Sequence, residues 1–247
     1  MQGPFAENRR FRAWQTFSLG LLFPLLLLAA CQELPPSRDT TVVTVPQPNA
    51  GVKIPENTPR FLVDPDASEI RLLVYRAGPL ARFGHNHVIT GRVRGEIRAG
   101  ERAADSGFRL EVPVESFVVD AKSARAEEGE EFAAEVSEQA RQATRDNLLG
   151  KDVLDSASHP LIEVNSVALV GPRWSPAVLA RATLRGVTRD LRFPAAVVQQ
   201  GDLLTVIASF RIRQSDFDLT PFTALGGGLR VRDAIDIRMH LVARRAN

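Results

Sequence analysis

The chain is poor in the features that announce a function outright. Its 247 residues contain one cysteine, Cys31, so no internal disulfide braces the fold. No Gly-x-Ser-x-Gly elbow, His-Glu-x-x-His helix, P-loop or dinucleotide fingerprint is present, which removes the motif-borne routes to acyl transfer, zinc proteolysis and nucleotide binding. The run Gly226-Gly227-Gly228 precedes a strand pattern, so its amides have no helix N-terminus to help them hold phosphate, and it reads as a rim loop. An excess of charge of one sign is missing too. Three of the 31 basic and one of the 29 acidic residues fall in the first thirty positions, leaving 28 against 28. Neither phosphate steering nor a basic stripe for nucleic acid is supported. No internal repeat appears, and with 44% hydrophobic and 24% charged residues the chain has an ordinary globular composition, enough for one good core or two small ones.

The first thirty residues read as an export signal. Arg9, Arg10 and Arg12 form a positive start, and Phe17–Leu28 is an apolar core of about a dozen residues, short of the ~20 needed to span a bilayer. Leu28-Ala29-Ala30-Cys31 resembles the lipobox of bacterial lipoproteins, in which cleavage precedes a cysteine that is then diacylated. This explains an odd thiol in an exported chain. Gln32, not aspartate, follows, which by the same resemblance implies an anchor on the periplasmic face of the outer membrane. From residue 31 to about residue 60 the chain is rich in Pro, Thr, Asn and Val, too poor in aromatic and branched apolar side chains to offset its ordering entropy, and reads as a tether.

From Phe61 the dominant signal is period two. Ile70, Leu72 and Val74 alternate with Arg71 and Leu73; Phe108, Leu110, Val112 and Val114 alternate with Arg109, Glu111, Pro113 and Glu115. Strand character returns at 161–169, 177–184, 189–198, 203–213 and 234–242. Between Glu127 and Leu149 the period changes: Phe132, Val136, Ala140 and Ala143 recur at three or four, with Gly150 as a stop, predicting one helix or two short ones laid over the sheet. About eight strands with turns between neighbours predict an all-β fold, a single antiparallel sandwich or barrel.

Leu184-Arg-Gly-Val-Thr-Arg189 resembles the hairpin motif of the YceI-like family, in which Gly and Val form the turn and the next strand begins at Thr. Leu148–Asp155 followed by His159–Ser166, Arg213–Phe217 and Val231–Ile237 are similar to further family segments in the same order, so that the resemblance covers about Phe61 to Ala243. Asp218 departs from the family's usual glycine, and His85-Asn86-His87 stands where a single histidine is commoner. The resemblance implies a lipocalin-like antiparallel β-barrel over residues 61–247 with a helical insertion, exported, and in some members binding a polyisoprenoid or other long-chain amphiphile.

A barrel of about eight strands is just wide enough for side chains or one small ligand. An apolar chain of roughly ten methylene units gains about 8 kcal/mol by entering such an interior, at ~0.8 kcal/mol per unit. Candidate wall residues are Val112, Val114, Phe117, Phe132, Leu154, Phe210 and Phe217; the same side chains also suit a solid core. His85 and His87, with Arg213 and Ser215, are candidate head-group contacts at the mouth. Two histidines at i and i+2 on a strand share a face and suit a metal, but a site then needs a third ligand such as His240 or Asp216. The expectation is therefore a lipid-anchored, non-catalytic envelope protein without cofactor, metal or nucleic-acid partner, carrying an isoprenoid or long-chain lipid. A metal-dependent enzyme using His85 and His87 and a structural protein with a filled barrel are the alternatives, and a homodimer is left open.

Overall fold

The structure is a computed structural model that describes residues 54–246. The export signal, Cys31 and the tether up to residue 53 lie outside the described residues. Residues 54–59, read from sequence as the end of the tether, lie against the folded body. The Pro59 carbonyl accepts a hydrogen bond from the Ala99 amide at 3.0 Å, and the Ile54 side chain covers Gly107 so closely that a Cβ there would come within 2.5 Å of it.

The strands are β1 (Arg60–Val63), β2 (Glu69–Ala77), β3 (His87–Arg92), β4 (Arg94–Arg98), β5 (Gly107–Pro113), β6 (Val118–Val119), β7 (Leu161–Val170), β8 (Ala177–Leu184), β9 (Val187–Gln200), β10 (Leu203–Arg213), β11 (Thr223–Ala224) and β12 (Leu229–Arg245). Every pairing is antiparallel, and the sheet closes because β1 pairs with both β4 and β12. Three of the barrel's staves are broken in two. β1 and β2 pair in succession with the long β12; β4 and β3 pair with β1 and β2; β5 and β6 pair with β4 and β3. Counting each broken stave once, and leaving out β11, which pairs only with β12, gives a closed, eight-stranded, up-and-down barrel. Gly95 makes the bend in the second stave: its φ of +139° and the Arg109 carbonyl, 2.1 Å from where a Cβ would stand, admit no side chain.

Period-two patterning sets what faces inward. On β10, Leu204 and Ala208 are buried, and on β12 Ile235, Ile237, Leu241 and Ala243 are buried. Outside, Arg94, Arg181 and Arg211 sit directly opposite Glu111, Asp190 and Asp236 on neighbouring strands, pairing charges in the observed register. Leu73 and Val88 break the pattern because their outer face is covered by Ala124 and Phe132 of the insertion between β6 and β7.

That insertion contains α1 (Lys122–Ala126) and α2 (Glu138–Leu149). The predicted stripe is thus only partly helical: Phe132 lies in a single 3-10 turn and Val136 in the approach to α2, both buried. Ser137 is the reason α2 starts where it does, because its Oγ accepts from the Ala140 amide at 3.2 Å. The hairpin motif also needs correction. β8 and β9 are joined by Arg185 and Gly186, with φ of +51° and +78°, and Leu184 pairs with Val187. Two successive positive φ values match the twist of the flanking strands, so the turn falls one residue before the predicted Gly-Val pair.

Residues 78–86, the helical insertion, the Arg185–Gly186 turn and residues 214–228 gather at one end of the barrel, the mouth. The turns at 99–106, 171–176 and 201–202 gather at the other, together with the chain's entry into β1 and its exit from β12. No helix among the described residues is long and apolar enough to cross a membrane.

Candidate ligand cavity

A cavity of about 240 Å³ occupies the mouth half of the barrel. Its walls are inward side chains from all eight staves, among them Ile70, Leu72, Val112, Ile162, Phe210 and Ile237. Phe108, Leu110, Phe193 and Met239 form its floor and also bound a second cavity of about 60 Å³ nearer the closed end. Phe193 is held in that floor by stacking on Phe210, with ring centroids 4.3 Å apart. Thr144, Asn147 and Leu148 of α2 complete the wall at the mouth. No Asp, Glu, Lys or Arg lines the cavity; its polar side chains are His87, Thr144, Asn147 and Gln214. Two of these are already engaged within the fold: Thr144 Oγ1 donates to the Ala140 carbonyl at 2.8 Å, and Gln214 Nε2 donates to the Arg232 carbonyl at 2.8 Å.

His87 is fixed from behind. Its Nδ1 lies 2.6 Å from Asp120 Oδ2, and because an ionised carboxylate only accepts, Nδ1 carries the proton. Asp120 is fully buried; its Oδ1 also accepts from the Val88 amide at 2.9 Å and from Arg125 Nη1 at 2.6 Å. Arg125, itself buried, donates further to the carbonyls of Asn86, Phe132 and Ala134. Burial alone pushes the Asp120 carboxyl up, yet the hydrogen bond and charge of His87, the Val88 amide and Arg125 outweigh it and hold the group below the usual carboxylate range. His87 Nε2 has no protein partner among the described residues and is the atom left for a ligand. In the neutral ring it accepts a hydrogen bond; in the protonated ring it donates one.

His85 is not the second half of a pair. β3 begins at His87, so the two rings do not share one strand face, and His85 stays off the cavity. Burial, followed by the charges of His87, Arg125 and Arg76, holds its pKa below the usual histidine value. No cluster of three His, Cys, Asp or Glu side chains among the described residues is placed to hold a metal.

Of the residues singled out from sequence, His87, Val112, Phe117, Leu154, Phe210 and Phe217 line the cavity. Val114 is buried beyond the end of β5, where the chain leaves the strand for a 3-10 turn. Phe132 packs outside the barrel wall, edge-on to Tyr75 with centroids 5.5 Å apart. Arg213 is exposed at the end of β10, and Ser215 is committed to Asp233, to which its amide and hydroxyl donate at 2.8 and 2.6 Å. Sequence reading missed Asn86, Asp120, Arg125, Thr144, Asn147 and Gln214, because each is of a commonplace type and no local spacing links them.

A family model described as a YceI-like domain matches residues 61–243. Among solved structures, BcnA of Burkholderia cenocepacia is similar with a TM-score of 0.50 and 17% identity, over 73% of this chain and 98% of that one. The YCEI protein of Campylobacter jejuni gives a TM-score of 0.45 and 12% identity, over 63% of this chain and 81% of that one. No curated protein matches the chain.

Proposed function

Because the chain belongs to the YceI-like family, whose model spans most of its length, we propose that it binds a hydrophobic small molecule, an isoprenoid or another long-chain lipid, inside the barrel and performs no chemistry on it. The observation that carries this reading is the cavity: about 240 Å³, walled almost wholly by apolar side chains and closed to charged ones. Apolar walls supply affinity in proportion to the area they keep from water, and a few polar groups orient the ligand. The absence of charged lining favours an uncharged head over a phosphate, since a buried anion without a counter-charge is costly. His87 Nε2, with Asn147 of α2, is the hydrogen-bonding partner for that head.

The His87–Asp120 pair has the form of a base and its orienting carboxylate, which favours a second reading as a hydrolytic enzyme. It lacks a nucleophile: the one hydroxyl in the lining, on Thr144, donates to its own helix, and Arg125 already neutralises Asp120. The pair serves instead to fix one ring nitrogen toward the cavity. Lipidation of Cys31 and residence on the periplasmic face of the outer membrane belong to the same proposal and rest on the lipobox-like Leu28–Cys31 and on the Gln32 that follows it.

Native mass spectrometry with organic extraction, on a chain beginning after Cys31, tests the carrier reading. A stoichiometric isoprenoid or acyl species is expected. A clean apo mass from protein purified without detergent would move the reading to a barrel that is merely structural.

A further inference from the structure

The mouth of the barrel carries an exposed apolar surface that ligand binding does not use up. Phe83, Phe222 and Leu225 are 60%, 46% and 61% exposed, although most large apolar side chains of the barrel are covered. They belong to two loops that are knit into one surface. The Leu80 amide donates to the Gly228 carbonyl at 2.8 Å, the Leu229 side chain lies against Gly84, and the Val231 amide donates to the Phe222 carbonyl at 2.9 Å. Leu225, Gly226 and Gly227 follow one another at φ of +51°, +64° and +87°, a tight left-handed turn that leaves the leucine side chain in solvent. Phe222 is shared with the cavity, whose wall it joins, so the patch and the cavity are continuous.

Charge singles the patch out further. Residues 78–86 and 219–232 contain Arg82, Arg230 and Arg232 and no carboxylate. All three arginines are exposed and none takes part in a salt bridge among the described residues; Arg82 lies over the Phe83 ring at 4.5 Å, and Arg232 lies over Tyr75 at 5.2 Å. The acidic groups that flank these segments in sequence, Asp218 and Asp233, are held by Arg189 and by Ser215, and Asp236, within electrostatic reach of Arg232, is paired with Arg211. Apolar side chains flanked by unpaired arginines are what an anionic lipid surface recognises: the rings and the leucine enter the head-group layer while the guanidinium groups meet phosphates.

We propose that the 78–86 and 219–232 loops dock the mouth of the barrel on the surface of an anionic bilayer, so that a ligand passes between cavity and membrane past Phe222 without crossing water. The purpose of this contact rests on the carrier reading, but its existence does not.

Residues 54–247 contain every stave, the closing β1–β12 seam and the whole core, so the barrel is a self-contained unit and vesicle binding can be read on it alone. Flotation with vesicles of phosphatidylcholine, and of phosphatidylcholine with roughly three-tenths phosphatidylglycerol, is the experiment. Binding to the anionic vesicles is expected, weakened by salt and reduced about tenfold or more by Phe83→Ser with Leu225→Ser and by Arg82→Gln with Arg230→Gln. Arg82, Phe83 and Leu225 lie in exposed loops and Arg230 is exposed at the start of β12, and an unchanged melting transition shows that the fold is intact. Absence of binding, or binding indifferent to both pairs, overturns the proposal. So does a wild-type dimer in sedimentation velocity that the Phe83 and Leu225 changes dissolve, which would assign the patch to a second copy of the chain. An empty barrel that floats keeps the docking and removes the carrier reading; a loaded barrel that does not float does the reverse.

Discussion

The cavity and the polar clamp behind it meet at one residue and are built on opposite rules. The cavity is space bounded by side chains that ask nothing of one another beyond contact. Behind it, Asp120 and Arg125 are buried in a network in which both carboxylate oxygens and both terminal guanidinium nitrogens are matched, and no buried side-chain polar atom among the described residues lacks a partner. Interior charge is tolerated only where the network is complete, whereas an apolar wall stays sound with a void beside it. His87 belongs to both regions, with one nitrogen spent on the clamp and the other left for the cavity.

The clamp is where that comparison breaks most sharply. Asp120→Ala leaves the Arg125 guanidinium buried without its counter-charge and is expected to cost about 3–5 kcal/mol, read by urea denaturation. Filling the other region should cost less: Ala182→Phe projects into the cavity, is expected to cost no more than the ~1–3 kcal/mol of a small-to-large core change, and should remove any co-purifying lipid in native mass spectrometry. A stability loss of the clamp's size in that variant would mean that the cavity is needed as packing.

The pH dependence sharpens the same contrast. The folded pKa of Asp120 is depressed, so its contribution is complete above the unfolded value near ~3.9 and is lost as pH falls through the lower folded value. Asp120→Asn should flatten that acid limb. His85 is also depressed: below its unfolded value near ~6.5 the unfolded chain takes up a proton that the fold resists, so stability falls from there down to the folded value. His85→Gln is expected to remove that shallower decline, and a pH profile identical to wild type would show that His85 is as free in the fold as outside it. The smallest effect is expected at Asp218, which occupies a left-handed conformation at φ of +57°. Asp218→Gly should be within about 1 kcal/mol of wild type and on the stabilising side, because aspartate tolerates that region better than most residues but less well than glycine.

Asp218 also shows what kind of information the sequence holds. The family's usual glycine marks a backbone geometry, and the geometry is kept here although the residue is not. The strands were legible because period two is a local consequence of one face being buried; β8 and β10 follow the predicted ranges to the residue. The broken staves were not, since a bend at Gly95 or at Val114 is decided by which neighbour each half pairs with, and that neighbour lies far along the chain. Phe132 was misassigned to the interior for a related reason: an aromatic beside a barrel can cover its outer wall as well as its inner one, and only the path of the insertion decides. The clamp left no trace, because Asn86, Asp120 and Arg125 become a unit only after β3 and α1 are brought together.

The chain enters β1 at the end of the barrel farthest from the mouth. Twenty-two residues separate Cys31 from Ile54, a contour of at most about 75 Å at ~3.4 Å each. The barrel, judged from the 17 residues of β12 at about 3.3 Å each and a tilt near ~40°, is about 40 Å tall. For a molecule held through Cys31, that upper bound exceeds the height of the body. Attachment then sets where the barrel can go but not which pole it turns toward the surface, and its orientation is left to the affinity of the mouth itself.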